Sequence, residues 1–130
     1  MVDDDPEDRG IIKDAMELIN AGDRIRFAEN GVQALTILDS DFQAATLPCL
    51  IVLDLNMPKM NGTQTLRHLK DNDRYKDIPV VIYSTSMNSL EKEKCLTLGA
   101  HSYVIKPVTF SESTQIAHAF LQFCTTQPVV

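Results

Sequence analysis

The sequence predicts an α/β domain of the doubly wound kind, a five-stranded parallel sheet with helices on both faces. Two observations predict it. Short β-branched apolar runs alternate with amphipathic stretches at helical spacing, about five times over, and such alternation builds parallel sheets covered by helices. The runs "LIVLD" (50–54) and "PVVIYS" (79–84) are nearly continuous in apolar character, as strands buried on both faces are. A third observation sets the scale. The chain has 130 residues, 44% of them hydrophobic and 23% charged, which suits one domain, residues 1–130, with a real core.

Each element can be justified in order. Met1 and Val2 form the end of a first strand. Pro6, a good first-turn residue, opens a helix whose apolar stripe is Ile11, Ile12, Ala15, Met16 and Ile19. The segment "RIRFAE" (24–29) alternates, with Ile25 and Phe27 on one face, and reads as a second strand. Val32, Leu35 and Leu38 mark a second helix, and "SDFQAATLP" (40–48) reads as a surface loop. The third strand is 50–54. The third helix starts after Gly62, with Thr65, Leu66 and Leu69 inward. The fourth strand is 79–84, and its helix carries Leu90, Leu96 and Leu98 before Gly99 ends it. "SYVIK" (102–106) is the last strand; Ile116, Ala119, Phe120 and Phe123 stripe the last helix. Phe110, Phe120 and Phe123 read as core, Cys95 as packing, and His68, His101 and His118 as surface residues without metal spacing.

Several function classes are disfavoured. A net charge of −6 argues against nucleic acid, whose phosphates call for basic patches. No apolar run reaches membrane-spanning length, and no signal peptide is visible. Cys49, Cys95 and Cys124 are odd in number, far apart and form no CxxC, which reads as reduced thiols in a cytoplasmic protein. "DLNMPKMNG" is no calcium loop, because Pro58 and Lys59 stand where ligands belong. There is no Ser-His-Asp or Cys-His set and no phosphate-cradling glycine loop.

In open sheets of this type, ligands bind beyond the carboxyl ends of the strands. The predicted strands end, in chain order, at Asp3-Asp4, at Asp54, at Ser84 and at Lys106-Pro107. One crevice therefore collects carboxylates, a hydroxyl and an ammonium. Mg²⁺ takes oxygen ligands and keeps several waters, so carboxylates from two strands suit it. Asp54, after a buried run, is a candidate nucleophile able to carry an acyl phosphate. Phosphoryl transfer needs positioning and charge neutralisation, and Lys106 and Ser84 offer a charge and a hydrogen bond.

The motifs "VDDDPED", "LDLNMPKMNG", "PVVIYSTS" and "GAHSYVIKPV", in this order and over nearly the whole chain, resemble a response regulator receiver domain of the chemotaxis-regulator type. The resemblance implies a flavodoxin-like strand order 2-1-3-4-5. It implies Asp54 as phosphoacceptor, Asp4 as direct metal ligand, Asp3 as the ligand acting through water, and Asn56 as a backbone-carbonyl ligand. The metal would be Mg²⁺ or Mn²⁺. Ser84 matches the switch hydroxyl, Tyr103 the switch aromatic that turns inward after phosphorylation, and Lys106 the family lysine. The Lys106–Pro107 bond is expected to be cis. "STS" and "LGAHSYVIKPV" look closest to stand-alone bacterial regulators that pair with phytochrome-like sensor kinases.

The implied function is two-component, phosphorelay signal transduction. A histidine kinase would phosphorylate Asp54, and a surface near 100–124 would then engage a downstream protein or a second copy of the chain. The protein would be no enzyme beyond its own phosphorylation and dephosphorylation. The alternatives are a small Mg²⁺-dependent phosphatase or phosphotransfer enzyme, disfavoured because Asn56 replaces the general acid that class places two residues after its nucleophile, and a phosphorylation-silent adaptor. Two departures stand out. Only Met1 and Val2 precede the acidic run, where the family has a full apolar strand, so upstream residues are expected and the central strand should leave a gap. The run has three aspartates; Val2 before Asp3 and Pro6 after Asp5 favour Asp3-Asp4 over Asp4-Asp5.

Overall fold

The computed structural model describes residues 1–57 and 60–125; Pro58 and Lys59, whose place in the sequence argued against a calcium loop, lie outside them. Helix α1 (Pro6–Leu18) and a 3-10 turn (Gly22–Arg24) are followed by α2 (Gly31–Gln43), β1 (Ile51–Asp54) and α3 (Gly62–Lys70). Then come β2 (Val80–Ser84), α4 (Ser89–Thr97), β3 (Ser102–Ile105) and α5 (Phe110–Thr125). Side chains one turn back start the first four helices: Asp5 accepts from Glu7 N, Asn30 from Gln33 N, Asn61 from Gln64 N, and Asn88 from Leu90 N and Glu91 N. Each satisfies a donor that the first turn leaves open.

The formal sheet has three parallel strands in the order β1-β2-β3, not the five expected. The first two expected strands are reduced to single-residue pairings: Val2 bridges Ala28 on one side and Leu53 on the other, both in parallel. Val2 N donates to Val52 O at 2.7 Å, and Asp3 N donates to Ala28 O at 3.0 Å. The order 28, 2, β1, β2, β3 therefore follows the expected sequence of positions. The ladder is short at this edge: Val2 alone bridges both neighbours among the described residues. Beside Val2 lies a cavity of about 250 Å³, lined among others by Met1, Ile25, Phe27, Leu50, Val52 and Phe120.

Strand alternation sorts the core into two layers. Leu53, Val80 and Ile82 pack with Leu38, Leu66, Leu69 and Cys95 of α2, α3 and α4. Val52, Val81 and Tyr83 pack with Ile12, Met16, Ala117 and Phe120 of α1 and α5. Each such aliphatic side chain stabilises by about 1.5–3 kcal/mol when fully buried, so the sheet is clamped from both faces and its strand ends are held rigid.

Four expectations are corrected here. Residues 40–43 extend α2 instead of forming a loop, because Asp41 is buried against the Arg26 guanidinium and Arg74 lies 4.4 Å over the Phe42 ring. Leu90 is 77% and Phe110 55% exposed; both sit at the first turn of a helix, beyond the reach of the packed layers. Cys49 and Cys124 are joined in a disulfide, with Cα atoms 5.4 Å apart, which leaves Cys95 as the free thiol. A separation of 75 residues hides that the start of β1 and the end of α5 meet. Among the described residues no helix is long and apolar enough to cross a membrane.

Candidate functional site

Parallel strands put all their carboxyl ends on one edge, and the candidate residues gather there. Val2 carries Asp3 into that edge, Asp54 ends β1, and Ser84 ends β2. The register aligns Asp54 with Tyr83 and Ser84 with Ile105. Lys106 N donates to Ser84 O at 2.7 Å, fixing the residue after β3 beside the end of β2. Asp3, Asp54, Ser84 and Lys106 are all buried, whereas Asp4 is exposed. Asp5 is set apart, as the cap of α1.

The Lys106 ammonium is the hub. Its Nζ lies 2.7 Å from Asp8 Oδ2, 3.0 Å from Asp3 Oδ2 and 3.6 Å from Asp54 Oδ1. Asp3 is pinned separately: its Oδ1 accepts from Asp5 N at 3.0 Å, and its carbonyl accepts from Arg9 Nη1 at 2.7 Å. Behind Asp54 the chain turns tightly into α3, where Gly62 N donates to Leu55 O at 2.9 Å. A Cβ on Gly62 would stand 2.3 Å from Asp54 O. Only a bare backbone approaches that closely, so this glycine sets how the β1–α3 turn presents the aspartate.

Burial and charge act together on the cluster. Burial, reinforced by the Asp3 charge, pushes the Asp54 carboxyl up to about 6. Burial also raises Asp3. Burial pulls the Lys106 ammonium down, but the Asp8 and Asp3 carboxylates outweigh it and hold its pKa above the ordinary value. Three carboxylates thus face one cation, and the surplus is negative.

That surplus suits a hard divalent ion. Oxygens of Asp3, Asp4 and Asp54 lie within 4.8 Å of one another. Asp3 Oδ2 is buried and faces the Lys106 ammonium at 3.0 Å, and a carboxylate oxygen so placed keeps acceptor capacity for a cation or its water. Asp4 and Asn56 line the same open cleft of about 390 Å³, with Asn61, Thr63 and Glu91. Oxygen donors from two chain segments beside open space are what Mg²⁺ or Mn²⁺ accepts.

Ser84 and Tyr103 meet at a second point. Ser84 Oγ donates to Ser86 O at 3.2 Å, and the Tyr103 hydroxyl donates to the same carbonyl at 2.9 Å. Tyr103 is 9% exposed. Its ring is thus buried, with the hydroxyl held by the Ser86 carbonyl.

The Lys106–Pro107 bond is trans; no cis peptide bond occurs among the described residues. The trans form is the favoured state of X–Pro by about 0.5–1 kcal/mol, and the long lysine stem still delivers Nζ to the cluster. Sequence reasoning missed Asp8, the carboxylate nearest to Lys106. The signal was present in "VDDDPED": with Asp5 as cap and Pro6 in the first turn, Asp8 lies in the turn of α1 that faces the strand ends.

Residues 1–118 match the family described as response regulator receiver domain. Chemotaxis protein CheY1 of Helicobacter pylori is 32% identical over 109 residues, 84% of each chain. Two-component response regulator ORR5 of Oryza sativa is 31% identical over 121 residues, 93% of this chain and 86% of that one. Among solved structures, the phosphorylated cyanobacterial phytochrome response regulator RcpA superposes with a TM-score of 0.83 at 28% identity, covering 98% of this chain and 93% of that one. The Mn²⁺-bound form of response regulator Rcp1 shares the fold with a TM-score of 0.77 at 23% identity, covering 99% and 94%.

Proposed function

The chain belongs to the response regulator receiver family of two-component signalling, and we propose that it works there as a phosphorylation-driven switch with Asp54 as phosphoacceptor. Receiver domains are signalling modules that engage histidine kinases and downstream effectors, not conventional enzymes. The observation that carries the proposal is the convergence of Asp3, Asp54 and the Lys106 ammonium at one sheet edge, within 3.6 Å of Lys106 Nζ.

The step is a phosphoryl transfer. Asp54 Oδ forms the bond to phosphorus as the bond to the kinase's phosphohistidine nitrogen breaks, and that nitrogen keeps the electron pair. Lys106 pairs with a phosphoryl oxygen, and Ser84 leaves the Ser86 carbonyl to donate to another. Asp3, Asp4 and Asp54, with the Asn56 carbonyl, would hold Mg²⁺ or Mn²⁺, which supplies neutralising charge for the phosphoryl oxygens. The new group adds about −1.5 to −2 charge and three acceptor oxygens. Tyr103 then holds the Ser86 carbonyl alone, so the β2–α4 loop that carries Ser86 takes a new position.

The output surface is proposed on the side of α4, β3 and α5. Leu90, Ile105, Val108 and Phe110 are exposed there, an apolar set suited to a downstream protein or to a second copy of the chain. The likeness to the phytochrome response regulator supports a phytochrome-like sensor kinase as donor. The proposal includes a cytoplasmic location, which the phosphodonor requires; the Cys49–Cys124 bond is the feature that pulls the other way. The test is intact mass after incubation with acetyl phosphate, with and without Mg²⁺. One added phosphoryl group that needs Mg²⁺ is expected. A folded, Mg²⁺-binding chain that gains none would contradict the proposal.

A further inference from the structure

We infer that Asp8 is a positioning residue that restrains Lys106 in the resting state, holding its ammonium away from Asp54 until a phosphoryl group competes for it. The inference rests on the reading of Asp54 as phosphoacceptor and adds a residue to it. The distances carry it. Lys106 Nζ is 2.7 Å from Asp8 Oδ2 and in hydrogen bond with it, but 3.6 Å from Asp54 Oδ1, outside hydrogen-bond reach. An ammonium has three donors on one small head. One is committed to Asp8 and another points to Asp3 at 3.0 Å.

Asp8 is well placed for such a hold. It belongs to the first turn of α1, whose start is fixed by Pro6 and by Asp5 accepting from Glu7 N at 2.8 Å. Its side chain is 22% exposed and that of Lys106 8%. Water screens this pair less than an exposed surface pair. In contrast to Asp3 and Asp54, Asp8 is not among the carboxylates grouped closely enough to share a metal ion. It is therefore not placed as a metal ligand, while it holds the ammonium that phosphoryl transfer uses. As Asp54 Oδ bonds to phosphorus and the leaving atom departs with the electron pair, a nitrogen from phosphohistidine or the acyl oxygen from acetyl phosphate, the Lys106 ammonium has to swing from the Asp8 carboxylate toward a phosphoryl oxygen. The strength of the Asp8 bond is then subtracted from the drive for phosphorylation.

The experiment compares the native chain with Asp8→Asn and Asp8→Glu, using acetyl phosphate as donor at saturating Mg²⁺. Adduct is followed by intact mass, and the ammonium of Lys106 by its ¹⁵Nζ resonance. Asn keeps an acceptor without the charge, so Asp8→Asn should accept phosphoryl about tenfold faster. It should also shift the Lys106 resonance, while Asp8→Glu returns towards native behaviour. In a Lys106→Gln background the Asp8→Asn effect should vanish, since coupled residues are non-additive; a purely structural role would persist there. A folded Asp8→Asn chain that reacts at the native rate or slower overturns the restraint while leaving Asp54 as acceptor. No adduct on the native chain overturns the acceptor reading, and the restraint with it.

Discussion

The hydroxyls of Ser84 and Tyr103 converge on one acceptor, the Ser86 carbonyl, at 3.2 and 2.9 Å. The two residues stand on neighbouring strands, with Ile82 paired to Tyr103 and Ser84 to Ile105. A movement of Ser84 is therefore felt by Tyr103 through a shared partner. Tyr103→Phe should cost about 1 kcal/mol in chemical unfolding, the net worth of one hydrogen bond, and still accept phosphoryl at Asp54. Ser84→Ala should shorten the lifetime of the adduct. Equal lifetimes in native and Ser84→Ala chains, read by mass over time, would remove Ser84 from the site.

Gly62 offers a sharper structural test. Its added Cβ would meet Asp54 O at 2.3 Å and Leu55 Cα at 2.5 Å. Gly62→Ala should thus destabilise by about 2 kcal/mol or more and displace Asp54, because backbone must yield. Gly10, inside α1, has nothing within 4 Å of an added Cβ. Gly10→Ala should stabilise by about 0.5–1 kcal/mol. Paired denaturation curves read both signs.

The cluster predicts a pH dependence. Burial, then the Asp3 charge, raise Asp54 from 3.8 to about 6. A carboxyl raised on folding favours the folded state below its unfolded value, and that contribution is lost as pH rises through the folded value. In chelator, Asp54→Asn should therefore match the native chain near pH 3.5 and exceed its stability by about 2 kcal/mol at pH 7. Mg²⁺ should erase the difference by favouring the ionised carboxylate and by binding the native fold. Carboxyl resonances titrated with and without Mg²⁺ check this directly.

Reduction of Cys49–Cys124 should lower stability. The bond closes a loop spanning 75 residues of separation, worth about 4 kcal/mol through the unfolded chain. Melting with and without a thiol reductant, beside Cys49→Ser, measures it. Equal stability in both conditions would show that the tether contributes nothing.

Much of the site was legible because it obeys a positional rule. Asp54 and Ser84 each end a nearly continuous apolar run and Lys106 ends the last strand, so finding the strands found the crevice. The edge of the sheet was not legible. Segment 24–29 alternates like a strand, yet only Ala28 in it forms a bridge, to Val2. Leu90 fits a helical stripe and Phe110 reads as core by type, but both lie in first turns that reach past the core, which residue type and periodicity cannot register. Asp8 was hidden for another reason: its partner is 98 residues away, and an acidic residue in a helix's first turn already has an ordinary explanation in the helix dipole. Cys49 and Cys124 show the same limit, since closeness across the fold leaves no trace in spacing.

The most direct measurement is reduction of the acetyl-phosphate-treated, Mg²⁺-loaded chain with borohydride, followed by peptide mapping. Borohydride converts an aspartyl phosphate to homoserine, which marks the acceptor permanently. Homoserine at position 54, absent without Mg²⁺ and absent in Asp54→Asn, is the predicted result. Homoserine at another aspartate, or none in a folded chain that binds Mg²⁺, would contradict the assignment of Asp54 as the phosphoacceptor.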